Sequence, residues 1–166
     1  MRRSIWTPRL ALVLALAIVP TVVFAAGTKK KEKPADTAES LYTDGVATME
    51  GGDHAGAADH FRKAVEAKPD FAEAHNNLAY CLRKQGAEHY TMAKKHYDKA
   101  IELKPDLAQA YHYRGVLHAL QGDEAAAKAD LAKLAELDRE LADELMQVIA
   151  SGEEPAGHGG TAGKWK

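Results

Sequence analysis

One seven-residue segment occurs twice in this chain, and its spacing restricts the possible folds more than any other feature. The segment KPDFAEA at residues 68–74 returns as KPDLAQA at residues 104–110, which is 36 positions later. A third copy is weaker, since LDRELA at residues 137–142 resembles LKPDLA at residues 103–108, 34 positions earlier. A fixed period in this range is typical of helical hairpins that stack on one another, because one hairpin alone cannot bury its apolar stripe.

Capping residues, glycines and prolines divide each period in the same way. An acidic residue followed three positions later by Glu or Gln predicts a helix start, because its carboxylate accepts orphan backbone N–H groups. Such pairs are Asp36 and Glu39, Asp70 and Glu73, and Asp106 and Gln109, while Asp53 and Asp123 predict the starts of second helices. Glycines predict helix ends that need a left-handed residue, and prolines predict the turns between hairpins. These residues are Gly51, Gly52, Gly86 and Gly122, with Pro69 and Pro105.

The same region lacks the alternation of β-branched residues that marks a strand. The sequence therefore predicts an all-α protein, an α-solenoid built from stacked hairpins. Seven helices are expected, at residues 37–50, 53–67, 70–85, 88–103, 106–121, 123–137 and 139–150.

Small and aromatic residues at fixed places within each period resemble the signature of the tetratricopeptide-repeat (TPR) family. The first repeat, residues 38–71, carries Gly45, Ala57, Phe61, Ala64 and Pro69. The second, residues 72–107, carries Leu78, Ala79, Ala93, Tyr97, Ala100 and Pro105. The third, residues 108–139, carries Tyr111, Gly115, Ala127 and Leu131, with Arg139 in place of the proline. The resemblance implies a TPR domain over residues 37–150, closed by a capping helix at 139–150.

Two departures from the family pattern stand out. The middle repeat is two residues longer, around Ala87–Tyr90, which predicts a protruding turn. Leu41 and His75 occupy the places where the family has its first large aromatic residue. Neither departure changes the fold that the resemblance implies.

The two ends of the chain differ from the repeat region in composition. Residues 1–25 contain three arginines, an apolar run from Leu10 to Val19 and small residues before Ala26, which is typical of a signal peptide cleaved after Ala25. A lysine-rich linker is predicted at residues 26–36, and a glycine-rich disordered tail at residues 151–166. The protein is therefore expected to be periplasmic or secreted. An uncleaved, membrane-anchoring N-terminal segment is the alternative, and only that alternative predicts membrane contact.

Charge and cysteine content exclude some classes of function. Without residues 1–25 the chain has 19 basic and 24 acidic residues, a formal charge of −5, so it has no general basic field for nucleic acid. Cys81 is the only cysteine, so no intrachain disulfide stabilises the fold, and its helical context predicts a buried thiol.

The family resemblance implies a groove lined by the first helix of each hairpin, which binds a peptide. Helical spacing places His75, Leu78, Ala79 and Leu82 in the buried stripe of the third helix and the remaining residues toward this groove. Asparagine amides can bind a peptide main chain, tyrosines give contact area, and basic residues can pair with an acidic side chain. The predicted groove residues are Tyr42, Val46, Met49, Asn76, Asn77, Tyr80, Arg83, Lys84, His112, Tyr113 and Val116.

One subclass of the family is not expected. Members that bind the C-terminal carboxylate of chaperones use two lysines, one arginine and two asparagines on these helices. Here the corresponding places hold Tyr42, Val46, Asn77, Gln109 and Tyr113. Only one asparagine is kept, so the sequence predicts another kind of peptide or protein as partner.

Other classes of function give weaker matches. No phosphate-binding loop or nucleophile–base motif is present, so the chain is not predicted to be an enzyme, and no cofactor is expected. The eight histidines suggest a metal or haem carrier as an alternative, but pairs such as His54 and His60 lack the spacing of three or four that two ligands on one helix face need. Only His75 and His112, on neighbouring first helices, are expected to approach each other. A further alternative is a structural envelope component that forms a homo-oligomer through its groove or through its cap, by Leu141, Leu145 and Ile149.

Overall fold

The computed structural model describes residues 36–153, which contain seven α-helices and no strand. The helices are α1 (Ala38–Glu50), α2 (His54–Ala67), α3 (Ala72–Gln85), α4 (Tyr90–Leu103), α5 (Ala108–Leu120), α6 (Glu124–Leu137) and α7 (Arg139–Ser151), with a short 3-10 turn at Ala87–His89 before α4. The prediction of an all-α solenoid is confirmed. The predictions for residues 1–35 and 154–166 lie outside the described residues. Within the described residues, none of the helices has the length and apolar character needed to span a membrane.

Side-chain caps account for four of the helix starts. Asp53 accepts a hydrogen bond from the backbone N–H of Gly56 at 2.9 Å, and Asp123 accepts one from Ala126 at 3.1 Å. Thr37, rather than the expected Asp36, caps α1. Asp138 caps α7 in the same way. Each cap satisfies a backbone donor that has no partner inside its helix.

The predicted caps at Asp70 and Asp106 are wrong. Helices α3 and α5 begin two residues later than expected, after Phe71 and Leu107, and neither start has a side-chain cap. The Lys-Pro-Asp segment instead closes a turn, in which the Phe71 N–H donates to the Lys68 carbonyl at 3.1 Å. Proline fixes the backbone angle that the second residue of such a turn requires, so the turn competes successfully with an earlier helix start.

Each hairpin is closed by small residues where two helices approach closely. A methyl group added to Gly45 would lie 2.7 Å from Cε1 of Phe61, so α1 and α2 are in contact at that point. Fully buried alanines at the family positions, Ala57, Ala93 and Ala127, have the same role in the three second helices. The three hairpins are thus α1/α2, α3/α4 and α5/α6.

Two large clusters of side chains form the core. The first joins α1 to α4 and reaches Leu117 on α5, with Phe61, Leu78 and Tyr97 fully buried within it. The second joins α5 and α6 to α7, through Leu134, Leu145 and other residues. Helix α3 lies in the middle of this stack and contacts α2, α4 and α5, so most of its surface is covered.

A charged group ties the last two hairpins together. Arg114 on α5 donates to Asp130 on α6 at 3.0 and 2.6 Å, and to Asp98 on α4 at 2.7 Å. Asp130 is buried, whereas Arg114 and Asp98 retain some exposure. The pKa of Asp98 falls below its usual value, because the hydrogen bonds and charges of Lys94 and Arg114 outweigh the opposing effect of burial.

The last helix, α7, turns its apolar side inward. Leu141, Leu145 and Val148 are buried against α5 and α6. A methyl group on Gly115 would lie only 2.5 Å from Cδ2 of Leu145, so α7 approaches α5 as closely as a glycine permits. Leu141 and Leu145, which the oligomer hypothesis used, are therefore part of the core and not of a surface.

Candidate functional site

The predicted groove residues lie on α1, α3 and α5, but the structure places them differently from the expectation. We refer to the surface where Tyr42, Asn76, Asn77, Tyr80, Arg83, His112 and Tyr113 meet as the α1/α3/α5 face. Met49 packs in the first core cluster, Val46 packs against that cluster, and Val116 belongs to the second cluster.

The expectation that the groove residues are exposed is wrong for most of them. Asn76, Asn77, Tyr80 and Arg83 are each 1–3% exposed. Met49, His112, Tyr113 and Val116 are buried as well. Tyr42 and Val46 are half-buried, and Lys84 alone is exposed. Helical spacing within one hairpin identifies a single buried stripe, whereas α3 is covered by helices from both neighbouring hairpins.

Hydrogen bonds fix the asparagines of the face. The Asn77 side-chain amide donates to the Tyr42 hydroxyl at 3.1 Å and so links α3 to α1. The Asn76 amide donates to the Asn77 side-chain oxygen, also at 3.1 Å. The Asn76 side-chain oxygen is buried and accepts no hydrogen bond from residues 36–153. Burial, helped by the charge of Glu73 and opposed by the Asn77 hydrogen bond, raises the pKa of Tyr42 to about 12.

Aromatic rings and one guanidinium group form the centre of the face. The Tyr80 and Tyr113 rings meet edge to face with their centroids 5.0 Å apart. The Arg83 guanidinium carbon lies 5.3 Å from the Tyr80 centroid and 5.9 Å from the Tyr113 centroid, which is within the range of a cation–π contact. The ring of Tyr97, on α4, stacks against this cluster with its centroid 6.5 Å from that of Tyr113. Burial raises the pKa of Tyr113 and Tyr97, so both hydroxyls stay neutral.

The two edges of the face carry opposite charges. Lys84 follows Arg83 at the C-terminal end of α3. On the other side, Nε2 of the buried His112 lies 3.7 Å from a carboxylate oxygen of Glu144 on α7. The His112 ring also contacts Tyr113, at a centroid distance of 4.9 Å. The face therefore has the exposed Lys84 at its α3 edge, buried aromatic rings in the middle and the buried His112 beside Glu144 at α7.

The structure also forms a histidine pair that the sequence analysis missed. Nδ1 of His75 on α3 lies 2.9 Å from Nδ1 of His96 on α4, and the two rings stack 5.2 Å apart. His75, which was expected near His112, is held instead by a hydrogen bond from its Nε2 to the Pro69 carbonyl at 3.0 Å. A separation of 21 residues gives no periodic signal, although His75 stands where the family has a large aromatic residue. No cluster of three or more metal-binding side chains occurs among residues 36–153.

Cys81 is buried, as the sequence predicted. Burial, with a smaller effect from the charge of Asp53, raises the pKa of its thiol to about 12. Because the thiolate is the nucleophile, a thiol with so high a pKa is unreactive at neutral pH.

Comparison with known families and structures agrees with this architecture. The family described as "TPR repeat" matches residues 45–86, and the family "Tetratricopeptide repeat" matches residues 72–107. The search of curated proteins gave no match.

Solved structures of TPR domains resemble the chain along most of their length. The TPR domain of Arabidopsis OM64 aligns with a TM-score of 0.64 and 18% identity, over 70% of this chain and 97% of that one. The TPR2B domain of yeast Sti1, solved in a complex with pHsp70, aligns with a TM-score of 0.63 and 22% identity, over 69% of this chain and 94% of that one. The first TPR domain of Spaghetti (RPAP3), bound to the HSP90 peptide SRMEEVD, aligns with a TM-score of 0.61 and 22% identity, also over 69% of this chain and 94% of that one. The two matched repeats, which span residues 45–107, and this fold together support a tetratricopeptide-repeat protein.

Proposed function

We propose that the protein is a non-catalytic adaptor that binds an extended segment of another protein across the α1/α3/α5 face. The observation that carries this proposal is the side-chain oxygen of Asn76, which is buried and accepts no hydrogen bond from residues 36–153. A buried acceptor without a donor costs about 1–3 kcal/mol, which a backbone N–H of a peptide would recover if a small local opening on binding exposed Asn76. The TPR structures solved with HSP90 and Hsp70 peptides support this type of function.

The rest of the face suggests what kind of segment binds there. Tyr42 and Val46 are half-buried and offer apolar contact beside Asn76. Lys84 is exposed at the end of α3 and gives an acidic side chain a partner. We infer an extended segment with apolar residues followed by an acidic one. The places of the chaperone-tail clamp hold Tyr42, Val46 and Gln109, so we do not infer a chaperone C-terminus as the partner.

Selection from a displayed library of random peptides tests this proposal. Helices about 10 Å apart require roughly eight extended residues to cross all three, so peptides of about twelve residues are long enough. We expect the full chain to select acidic peptides. Asn76→Leu, which keeps the branched shape of the side chain but removes the acceptor, should weaken their binding about tenfold. Lys84→Glu should weaken binding in a salt-dependent way.

Lys63→Glu on α2 is the matched control, because Lys63 is exposed and lies away from the face. We expect this variant to bind the selected peptides as the natural chain does. Peptides that bind Asn76→Leu and the natural chain equally well, with helicity unchanged, would exclude the face as the binding site. A failure to select any peptide would argue against the adaptor function itself.

We also infer that the protein acts outside the cytoplasm, in the periplasm of a bacterium or in the medium. The composition of residues 1–25 supports this inference, and cleavage after Ala25 is the expected step. The intact mass of protein recovered from the periplasmic fraction tests it. We expect the mass of a chain that begins at Ala26, whereas a full-length chain in the membrane fraction would favour the anchored alternative.

A further inference from the structure

The end of the solenoid at α7 has an uncovered side. Within residues 36–153, α1, α3 and α5 each pack against a second helix of their own hairpin, but α7 has none. A hollow of about 320 Å³ lies between α6 and α7, where a following helix would pack. Its lining residues are Leu131, Ala135, Arg139, Ala142, Asp143 and Met146.

The floor of this hollow is apolar and its rim is charged. Met146 is 52% exposed, and Met92 is the only other large hydrophobic residue of the described chain with comparable exposure. Arg139 and Asp143 are exposed and lie one helical turn apart on α7. Neither forms an ion pair with another residue in the range 36–153, although many surface charges of this domain do. The face thus combines an apolar floor with one cation and one anion.

We propose that this α6/α7 face is the interface of a homodimer in which two copies of α7 pack antiparallel. A two-fold axis that passes near residue 141 reverses the order of residues along α7. Arg139 then faces Asp143 of the second copy, and the reverse pair forms at the same time. Met146 of each copy reaches toward residues 135–136 of the other, beside the hollow that Leu131 and Ala135 line. A cation and an anion one helical turn apart complement their own copy only in this orientation.

Charge reversal separates this interface from any other mode of association. Arg139→Glu places an acidic side chain opposite Asp143 of the second copy, and Asp143→Arg places a cation opposite Arg139, so each variant alone repels its own copy. In an equimolar mixture, a dimer of one chain of each kind has opposite charges in both pairs. Arg139→Glu puts an acid in the first turn of α7, where the helix dipole favours it, so the variant should keep its helix.

Sedimentation equilibrium of the full chain tests the proposal, at concentrations from about 1 to 200 µM. We expect a concentration-dependent dimer for the natural chain, and a dissociation constant at least roughly tenfold higher for each single variant. The equimolar mixture should recover the affinity of the natural chain. Lys128→Glu, at an exposed position of α6 outside the hollow, is the control and should leave the dimer unchanged.

Three results would overturn the proposal. The natural chain could sediment as a single chain up to the highest concentration. Alternatively, it could self-associate with an affinity that neither charge reversal changes, which would place the contact elsewhere. Finally, the mixture could stay as weak as the single variants, which would show that the two side chains do not face each other. Since the α1/α3/α5 face takes no part, peptide binding should be the same in all of these variants.

Discussion

Acidification should weaken the contact between α3 and α4 because it forces a proton onto the His75–His96 pair. His75 donates from Nε2 to the Pro69 carbonyl, so in the neutral ring its Nδ1 is an acceptor and His96 Nδ1 is the donor. Protonating His75 would put two N–H groups against each other at 2.9 Å. Arg62 and Lys99 are the cations that act on the pair.

The direction and size of the effect follow from the pKa of His96. Burial lowers that pKa from 6.5 to about 4, and the charges of His75 and Arg62 act in the same direction. Between pH 6.5 and 4 the unfolded chain therefore binds more protons than the folded one, so stability falls as the pH falls. A shift of this size corresponds to at most about 3 kcal/mol, and because the His96 ring is partly exposed, about 1–2 kcal/mol is expected. Burial also lowers the pKa of His75, which adds to the loss.

Urea unfolding followed by circular dichroism, at several pH values between about 7.5 and 4.5, measures this loss. His96→Asn keeps a donor near the position of Nδ1 but does not titrate. Its loss of unfolding free energy across this pH range should therefore be about 1–2 kcal/mol smaller than that of the natural chain. His89→Asn is the control, because His89 lies in the turn before α4 and its one ion pair within residues 36–153 is with the exposed Glu88, at 3.9 Å. We expect this variant to follow the natural chain. An equal pH dependence in His96→Asn and the natural chain would refute the reasoning.

Three further substitutions test the contacts that hold the repeats together, each by its free energy of unfolding in urea. Gly115→Ala adds a methyl group 2.5 Å from Leu145 Cδ2 and should cost about 1–3 kcal/mol; a neutral result would mean that α7 moves freely on α5. Arg114→Met leaves the buried Asp130 without its partner and should cost about 2–4 kcal/mol at about pH 7; no loss would argue against an electrostatic role of this pair. Asp123→Ala removes the cap of α6 and should cost about 1 kcal/mol, and no loss would show that solvent replaces the cap.

The local signals of the sequence predicted the helices well, because each signal acts within a few residues. The glycines at the ends of α1, α3 and α5 do have positive φ at Gly52, Gly86 and Gly122, as the helix-end signals required. Asp53 and Asp123 cap their helices as expected. The failures at helix starts have a local cause too, since the turn after Lys68 and the capping of a helix by Asp70 are alternatives for the same residues.

The candidate site was harder to predict, because its properties arise from contacts between hairpins. Asn76 and Arg83 lie opposite the apolar stripe of α3, and within one hairpin that position would face solvent. In the stack, α3 has a hairpin on each side, and the polar side chains there become buried and must find partners among themselves. Asn77 finds its partner in the Tyr42 hydroxyl, and Arg83 finds its partners in two tyrosine rings.

Burial also changes what these residues can contribute to recognition. A surface asparagine loses a hydrogen bond to water when it binds a peptide, so its net gain in free energy is small. The buried oxygen of Asn76 has no such hydrogen bond to lose. Rings and a guanidinium group that are already fixed lose little side-chain entropy on binding. A face that is rigid before it binds should therefore discriminate between peptides by main-chain position as well as by side chain. For that reason Asn76→Leu is expected to affect all selected peptides alike, while Lys84→Glu should weaken the most acidic peptides most.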